Sequence, residues 1–456
     1  MVARGADDDG RGAMNMRRAT FSDLPVLSRT LERLAVFLPA LLFAYMNIVW
    51  PLVYTEPVVD ATGLKPPSAE VGDFLLNKIY FPPLLLVGMA GLATHRRPIA
   101  RPMLFFVLAL TSLLGYFAAS ALWSLAPEIT IRRATLEAVI CVTLLCSVLS
   151  ASRPFDVIAP VFWLTVATLV INLVAVLIYP AGPLGHEGIY NHKNGLGNTA
   201  GLAIIVSLYF MLRGSTATRA LALAAVLVGA FLIQQSRSKT ALGLAFIAPI
   251  VGLYLYFLCR ICRIPLVLAI VGSAIAAMLA LFAVAQTMEL RLDDIFLWLF
   301  NDKTFTGRTS IWQFTMERLQ DRPWFGYGYS GFWDIGPASP KFKAPDFIAK
   351  MPHAHNGYLN MALETGIIGF ALLVVLLAVS LHCIGRVART DGIVFLFFVT
   401  VAAYALLTNL METDLIYPLS VSTLLFFLVS AVAGSQYCGD AARRAAVTPA
   451  TPGDTT

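Results

Sequence analysis

Residues 353–381 read HAHNGYLNMALETGIIGFALLVVLLAVSL, a polar tetrad that runs directly into an apolar stretch. Positions 357–381 are long enough to cross a bilayer, whose hydrocarbon core takes about 20 apolar residues in a helix. The tetrad His353-Ala354-His355-Asn356 therefore places two histidines immediately before a span. A neutral imidazole accepts a proton near pH 7, so such a pair at a membrane surface is a candidate for chemistry as well as for packing.

Comparable apolar runs recur along the chain. They lie at 34–54, 74–93, 103–123, 134–149, 157–179, 195–212, 220–234, 240–258, 265–285, 357–381, 393–410 and 418–433. Charged residues make up 13% of the 456 residues and hydrophobic ones 58%, with mean hydropathy +0.74. Soluble domains carry about 25% charged residues, so the chain reads as an all-α integral membrane protein of about twelve transmembrane helices. Residues 1–33 form a partly disordered N-terminus, 34–433 a single membrane domain, and 434–456 a tail. The first apolar run is long enough to stay as an anchor, and no cleavable signal peptide is expected.

Basic residues set the expected orientation. Arg17, Arg18, Arg29 and Arg33 fall on one side, with Arg96, Arg97, Arg101, Arg153, Arg213, Arg219, Arg260, Arg263, Arg386, Arg389, Arg443 and Arg444. That side is cytoplasmic by the positive-inside rule, which puts both termini inside and the loop 286–354, between spans 9 and 10, outside. Arg132 and Arg133 are the dissent, since they fall on the outer side. The net charge of +6 follows from this bias and does not call for nucleic acid. The outer loop has no cysteine, so no disulfide framework is implied, and the single C-x-x-C of Cys259 and Cys262 is too little for a metal site.

A loop this long should carry structure of its own. Thr309 to Leu319 suits a short helix, capped by Thr309 or Thr306, with Ile311, Phe314, Thr315 and Arg318 on one side. The aromatic run from Trp324 to Trp333, broken by Gly326, Gly328 and Gly331, is expected near the headgroups.

Four polar pieces emerge on the expected outer face. They are the loop 185–194 with His186, His192 and Lys193, the turn 236–240 with Arg237 and Lys239, the segment 306–309 with Arg308, and the histidine segment. Guanidinium and ammonium groups suit phosphate, so Arg237, Arg308, Lys193 and Lys239 together are candidates to hold a diphosphate. His355 is the candidate to take a proton from an acceptor hydroxyl. His353, His192, Asn356 and Glu412 are candidate substrate contacts; Glu412 is also placed to pair with Arg308, although a solvated carboxylate is the ordinary state at a span end. Snorkelling anchors account equally well for Arg237 taken alone, and close helix packing accounts for Gly366 and Gly369.

His355-Asn356 followed by Gly366-x-x-Gly369 resembles the periplasmic pattern of the O-antigen ligase and O-antigen polymerase superfamily. Ser236-Arg237-Ser238, Gly307-Arg308-Thr309 with Ile311-Trp312, and Pro323-Trp324-Phe325-Gly326-Tyr327-Gly328 are similar to its other landmarks, in the family's order. Asn191-His192-Lys193-Asn194-x-Leu196-Gly197 resembles a stretch of exopolysaccharide polymerases. The resemblance implies a glycosyltransferase of the bacterial inner membrane that moves a glycan from undecaprenyl diphosphate to an acceptor glycan or to lipid A core, with no cofactor or metal and with companions in a polysaccharide assembly system. It implies that Arg237 and Arg308 engage the diphosphate and that His355 is the base or a substrate contact. Because Ser236-Arg237-Ser238-Lys239-Thr240 aligns in two frames, Lys239 stands as an alternative to Arg237. Polymerisation is the first expectation, ligation to lipid A core or to protein the second. A flippase or exporter is the competitor from another class, and it would be expected to carry ionisable groups near the bilayer midplane.

Overall fold

A computed structural model describes residues 24–53, 74–94, 99–287, 307–417 and 419–447. Among these residues it contains helices and no sheet. Eleven helices are long and apolar enough to cross a membrane. In chain order they are α1 (Ser28–Val53), α2 (Leu75–Thr94), α3 (Arg101–Leu122), α4 (Pro127–Ser150), α5 (Pro154–Ile178), α6 (Lys193–Arg213), α7 (Thr216–Ser236), α8 (Lys239–Ile261) and α9 (Leu266–Thr287). The loop helix α10 (Arg308–Asp321) precedes α11 (Gly357–Val387) and α12 (Gly392–Met411). The expected twelfth span coincides with the shorter apolar stretch Val421–Ser435 of α13 (Val421–Val447). The protein is an all-α multi-pass membrane protein, and each of the twelve expected runs is a helix.

Backbone polar groups have no water to turn to inside a bilayer, and a helix satisfies them within itself. Side-chain hydroxyls in the spans follow the same rule: Ser150, Ser380, Thr400 and Ser430 each donate to the carbonyl one turn back. Between spans, Ser147 Oγ donates to the Ala35 carbonyl at 2.6 Å and Tyr45 donates to Asn77. α4 and α12 are the most buried spans, and α9 is the least.

The feature that positions the loop before α11 is a break in α11 itself. Gly366 has φ 65° and ψ −172° inside an otherwise helical run. α11 has 31 residues and α12 has 20, rises of about 46 and 30 Å, yet their ends meet. Asn356 Nδ2 donates to the Leu410 carbonyl at 3.4 Å and Tyr358 Oη to the Leu406 carbonyl at 2.9 Å, while residues 388–391 join the other ends. The break at Gly366 absorbs the surplus by letting 357–365 leave the line of the span.

A broken helix exposes backbone donors that need new acceptors. The loop supplies them. Ile367 and Ile368 donate to the carbonyls of Pro323 (2.8 Å) and Trp324 (3.3 Å), and Tyr327 N donates back to the Leu363 carbonyl at 3.3 Å. A Cβ on Gly366 would lie 2.3 Å from the Trp324 oxygen, and one on Gly326, φ 66°, 2.5 Å from the Glu364 carbonyl. The two glycine motifs are thus each other's docking surface.

Arg133, at the same end of the bundle as the loop before α11, has a structural use there. Its guanidinium is buried and donates to the carbonyls of Ser330 (3.0 Å) and Asp334 (3.2 Å), while Ser330 N donates to Glu364 at 2.8 Å. It ties the loop to the bundle, and Arg132 pairs with Glu128 at 3.1 Å on the surface. Ile311, Tyr327, Phe332, Trp333, Ile348, Ala354 and Leu363 give the loop a small core of its own. The expected loop helix is present but begins at Arg308 and is capped by Gly307, φ 79°, rather than by a threonine; Thr306 lies outside the described residues.

Gly366→Ala should lower the thermal midpoint of the purified protein by the equivalent of about 1–3 kcal/mol, because strain at positive φ and the clash with Trp324 act together. Gly336→Ala is the control, since φ there is 74° but nothing lies within 4 Å of an added Cβ. Equal drops in the two variants would show that docking against Trp324 does not matter.

Candidate active site

Where α12 ends, Glu412 turns inward. Its N–H still reaches the Thr408 carbonyl at 2.8 Å, but its backbone is extended and its carboxylate is buried. Asn409, one turn earlier, fixes this turn by accepting from Asp414 N (2.9 Å) and Leu415 N (2.5 Å). Gly357 packs against the same Asn409, where a Cβ would come within 2.1 Å of Oδ1, so the start of α11 and the end of α12 are held together.

Three donors from three parts of the chain meet on Glu412. Arg308 Nη2 donates to Oε1 at 3.0 Å, Asn194 Nδ2 donates to the same oxygen at 3.0 Å, and His355 Nδ1 lies 3.1 Å from Oε2. Asn194 in turn accepts from Ser238 Oγ at 2.9 Å, which reaches the α7–α8 turn. A continuous network therefore runs from that turn through α6 and Glu412 to the loop arginine and the histidine.

The histidine segment is held rigidly. Asn356 caps α11 by accepting from Leu359 N at 3.0 Å. Ala354 is fully buried, accepts from Trp312 Nε1 at 3.1 Å and donates to Asn360 Oδ1 at 3.3 Å. His353 Nδ1 accepts from His355 N at 3.2 Å, and the two rings stand 4.3 Å apart at 67°. His355 has φ 49°, the left-handed region, which asparagine, aspartate and histidine tolerate best among residues with a side chain. Arg237 shares this conformation at φ 51°.

Electrostatics separate the members of the cluster. Burial would raise Glu412, but the His355 hydrogen bond and the proximity of His355 and Arg308 outweigh it and hold the carboxylate below its usual range. Two residues on, Asp414 goes the other way: burial pushes it up to about 6, the Ser422 hydroxyl pulls back, and the Glu412 charge adds to the rise. His353 is pushed down to about 3 by burial, with the proximity of His355 adding to it. A neutral His353 is what its accepting Nδ1 requires.

The structure brings Arg308, His353, His355 and Glu412 into one cluster and sets Asn356 beside it as a helix cap. His192 lies at the N-cap of α6, exposed, with Nδ1 accepting from Asn194 N at 3.2 Å; Lys193 follows it, half-buried. Arg237 and Lys239 are exposed at the α7–α8 turn. Among the described residues, the side chains of Lys193, Arg237 and Lys239 make no hydrogen bond or ion pair, so they surround the network without joining it. Sequence reading missed Asn194 and Ser238 as organisers. The signal available was a polar residue in the first turn of an otherwise apolar helix.

His353, His355 and Glu412 place ligand-type atoms within 4.8 Å of one another, the two-histidine, one-carboxylate donor set of several metal sites. Both histidine Nδ1 atoms are hydrogen-bonded, and Arg308 pairs with the carboxylate at Oε1. A histidine whose Nδ1 is hydrogen-bonded can still ligate through Nε2; what the structure shows at Glu412 is a hydrogen-bonded ion pair.

A multi-pass helical membrane protein is also what sequence comparison points to. Residues 197–374 match the family described as O-Antigen ligase. Over 271 residues, 57% of this chain, it is 27% identical to the exopolysaccharide production protein ExoQ of Rhizobium meliloti (strain 1021). The chain spans 60% of that relative's length. Both findings support the O-antigen ligase and polymerase superfamily, the resemblance read from the motifs.

Glu412→Gln should cost about 3 kcal/mol of stability, because it strands a mostly buried guanidinium. Chemical unfolding measures this, and adding Arg308→Gln should restore part of the loss. His353 binds a proton more readily unfolded than folded, so stability should fall as pH drops from 6.5 toward 3. Thermal midpoints between pH 7 and 5 should show that slope, and His353→Gln should flatten it.

Proposed function

We propose that the protein is a glycosyltransferase that moves a glycan from a polyprenyl diphosphate, of the undecaprenyl type, to an acceptor hydroxyl at the periplasmic face, and that it polymerises exopolysaccharide or O-antigen repeat units. The observation that carries this reading is Glu412 gripping His355 and Arg308 at once. With Nδ1–H donated to Glu412, the tautomer of His355 is set and Nε2 is left to accept a proton. The acceptor oxygen loses its proton to Nε2 and bonds to the anomeric carbon, and the bond from that carbon to the diphosphate oxygen breaks. The leaving diphosphate takes the electron pair, and Arg308, with Arg237, Lys193 and Lys239 around it, meets the charge. No general acid is needed for so stable an anion.

The name of the Rhizobium relative favours exopolysaccharide production, hence polymerisation. The description of the matched family favours the second reading, transfer of a finished glycan to lipid A core. Transport is less well supported. Arg133 and Glu364 are both spent on holding Ser330 and the loop beneath the outer cluster, and do not line a path through the bundle.

Complementation of a gene deletion separates these readings. His355→Ala and Arg308→Ala should each reduce surface glycan assembly by about a hundredfold or more. Core bearing a single repeat marks a lost polymerase, and bare core with long lipid-linked chains a lost ligase. Full-length glycan from both variants would remove the catalytic assignment, and repeat units stranded on the inner leaflet would favour transport.

A further inference from the structure

At the far end of α10 from Arg308 lies a cleft of about 450 Å³ lined by Trp123, Arg322, Pro323, Trp324, Phe325 and Gly326. Trp123 directly follows α3, and Trp324 sits against the break in α11, so the cleft opens where spans end and lipid headgroups lie. Its walls are apolar and uncovered: Trp324 is 63% exposed and Phe325 50%. Trp123 Nε1 donates to the Phe325 carbonyl at 3.0 Å and holds the two walls together.

The charge in this cleft is Arg322. The guanidinium lies 5.0 Å from the Tyr327 ring centre and donates weakly to the Trp123 carbonyl at 3.4 Å. Among the described residues no carboxylate is within ion-pair distance of it. Its neighbour Asp321 is engaged by Arg318 at 2.9 Å. An exposed guanidinium lacking a counter-charge, beside an apolar cleft at the headgroup level, has the chemistry to bind a phosphate attached to a hydrocarbon chain.

We propose that this cleft seats the carrier phosphate of a lipid-linked acceptor, an assignment that rests on the glycosyl-transfer reading above. The 14-residue α10 separates it from Arg308 by about 20 Å. A donor reacts at the sugar joined to its diphosphate, so the donor's carrier must lie at the Arg308 cluster. An acceptor reacts at a hydroxyl remote from its own carrier, so its glycan has to bridge that gap. The phosphate bonds Arg322, the first prenyl units lie on Trp324 and Phe325, and the glycan runs along α10 to His355.

The full chain in nanodiscs of zwitterionic lipid, labelled with a diazirine-bearing polyprenyl phosphate, tests the site directly. Crosslinks should fall on residues 322–326, drop about tenfold in Arg322→Gln and in the surface variant Trp324→Ala, persist in Arg322→Lys, and be unchanged in His355→Ala. In transfer assays Arg322→Gln should raise KM for the lipid-linked acceptor about tenfold, with kcat and the donor KM unchanged. Crosslinks elsewhere, equal competition by phosphatidylglycerol, or an unchanged acceptor KM would overturn the assignment. Crosslinks at the cleft without transfer by the wild type would sustain the lipid site and remove the glycosyl-transfer reading on which its role as acceptor rests.

Discussion

A carboxylate taken out of water has to be matched by donors, and Glu412 is the carboxylate around which Arg308, Asn194 and His355 are organised. Its three partners come from α6, from the start of α10 and from the segment before α11. None of the three is near Glu412 in sequence. One buried negative charge therefore does what a continuous structural element would do elsewhere: it fixes the relative positions of an arginine, a histidine and, through Asn194 and Ser238, a turn bearing Arg237 and Lys239. The same charge acts on its neighbours, lying 3.1 Å from His355 Nδ1 and adding to the rise of Asp414.

The loop can hold that arrangement because it is latched to the bundle at a second place. A helix that breaks at Gly366 offers unpaired N–H groups, and the turn through Pro323 and Trp324 offers carbonyls to match. Arg133 and Glu364 hold the next turn by its backbone at Ser330. A polar latch of this kind suits a membrane protein, where unsatisfied backbone groups cost several kcal/mol and loops otherwise find little to bind. It also gives the aromatic loop an orientation, with Trp324 and Phe325 exposed and Tyr327, Phe332 and Trp333 buried.

These two attachments bracket α10, with an arginine at each end: Arg308 held by the carboxylate, Arg322 with no carboxylate partner among the described residues. That asymmetry is the physical basis for placing reaction at one end and lipid recognition at the other. An arginine paired and mostly buried is preorganised for charge that develops during reaction, whereas an exposed one beside aromatic walls is suited to equilibrium binding.

The architecture was legible in the chain because bilayer thickness fixes span length, so twelve apolar runs could only become helices of matching position. The histidine segment, Arg308 and even the presence of a loop helix were legible too, as polar chemistry interrupting apolar sequence. The roles of Asn194, Arg133 and the glycine pair were not, and that of Glu412 only as one of two readings. Glu412 at a span end reads as a solvated carboxylate or as a partner of Arg308, the reading the structure bears out; Arg133 reads as an orientation error, and Gly366 reads as a packing residue. Each acquires its role from a partner more than thirty residues away. Hydropathy is a property of local sequence and survives in any order of packing; burial of a charge and the pairing of a broken helix exist only after distant segments have met, and those the tertiary structure alone decided.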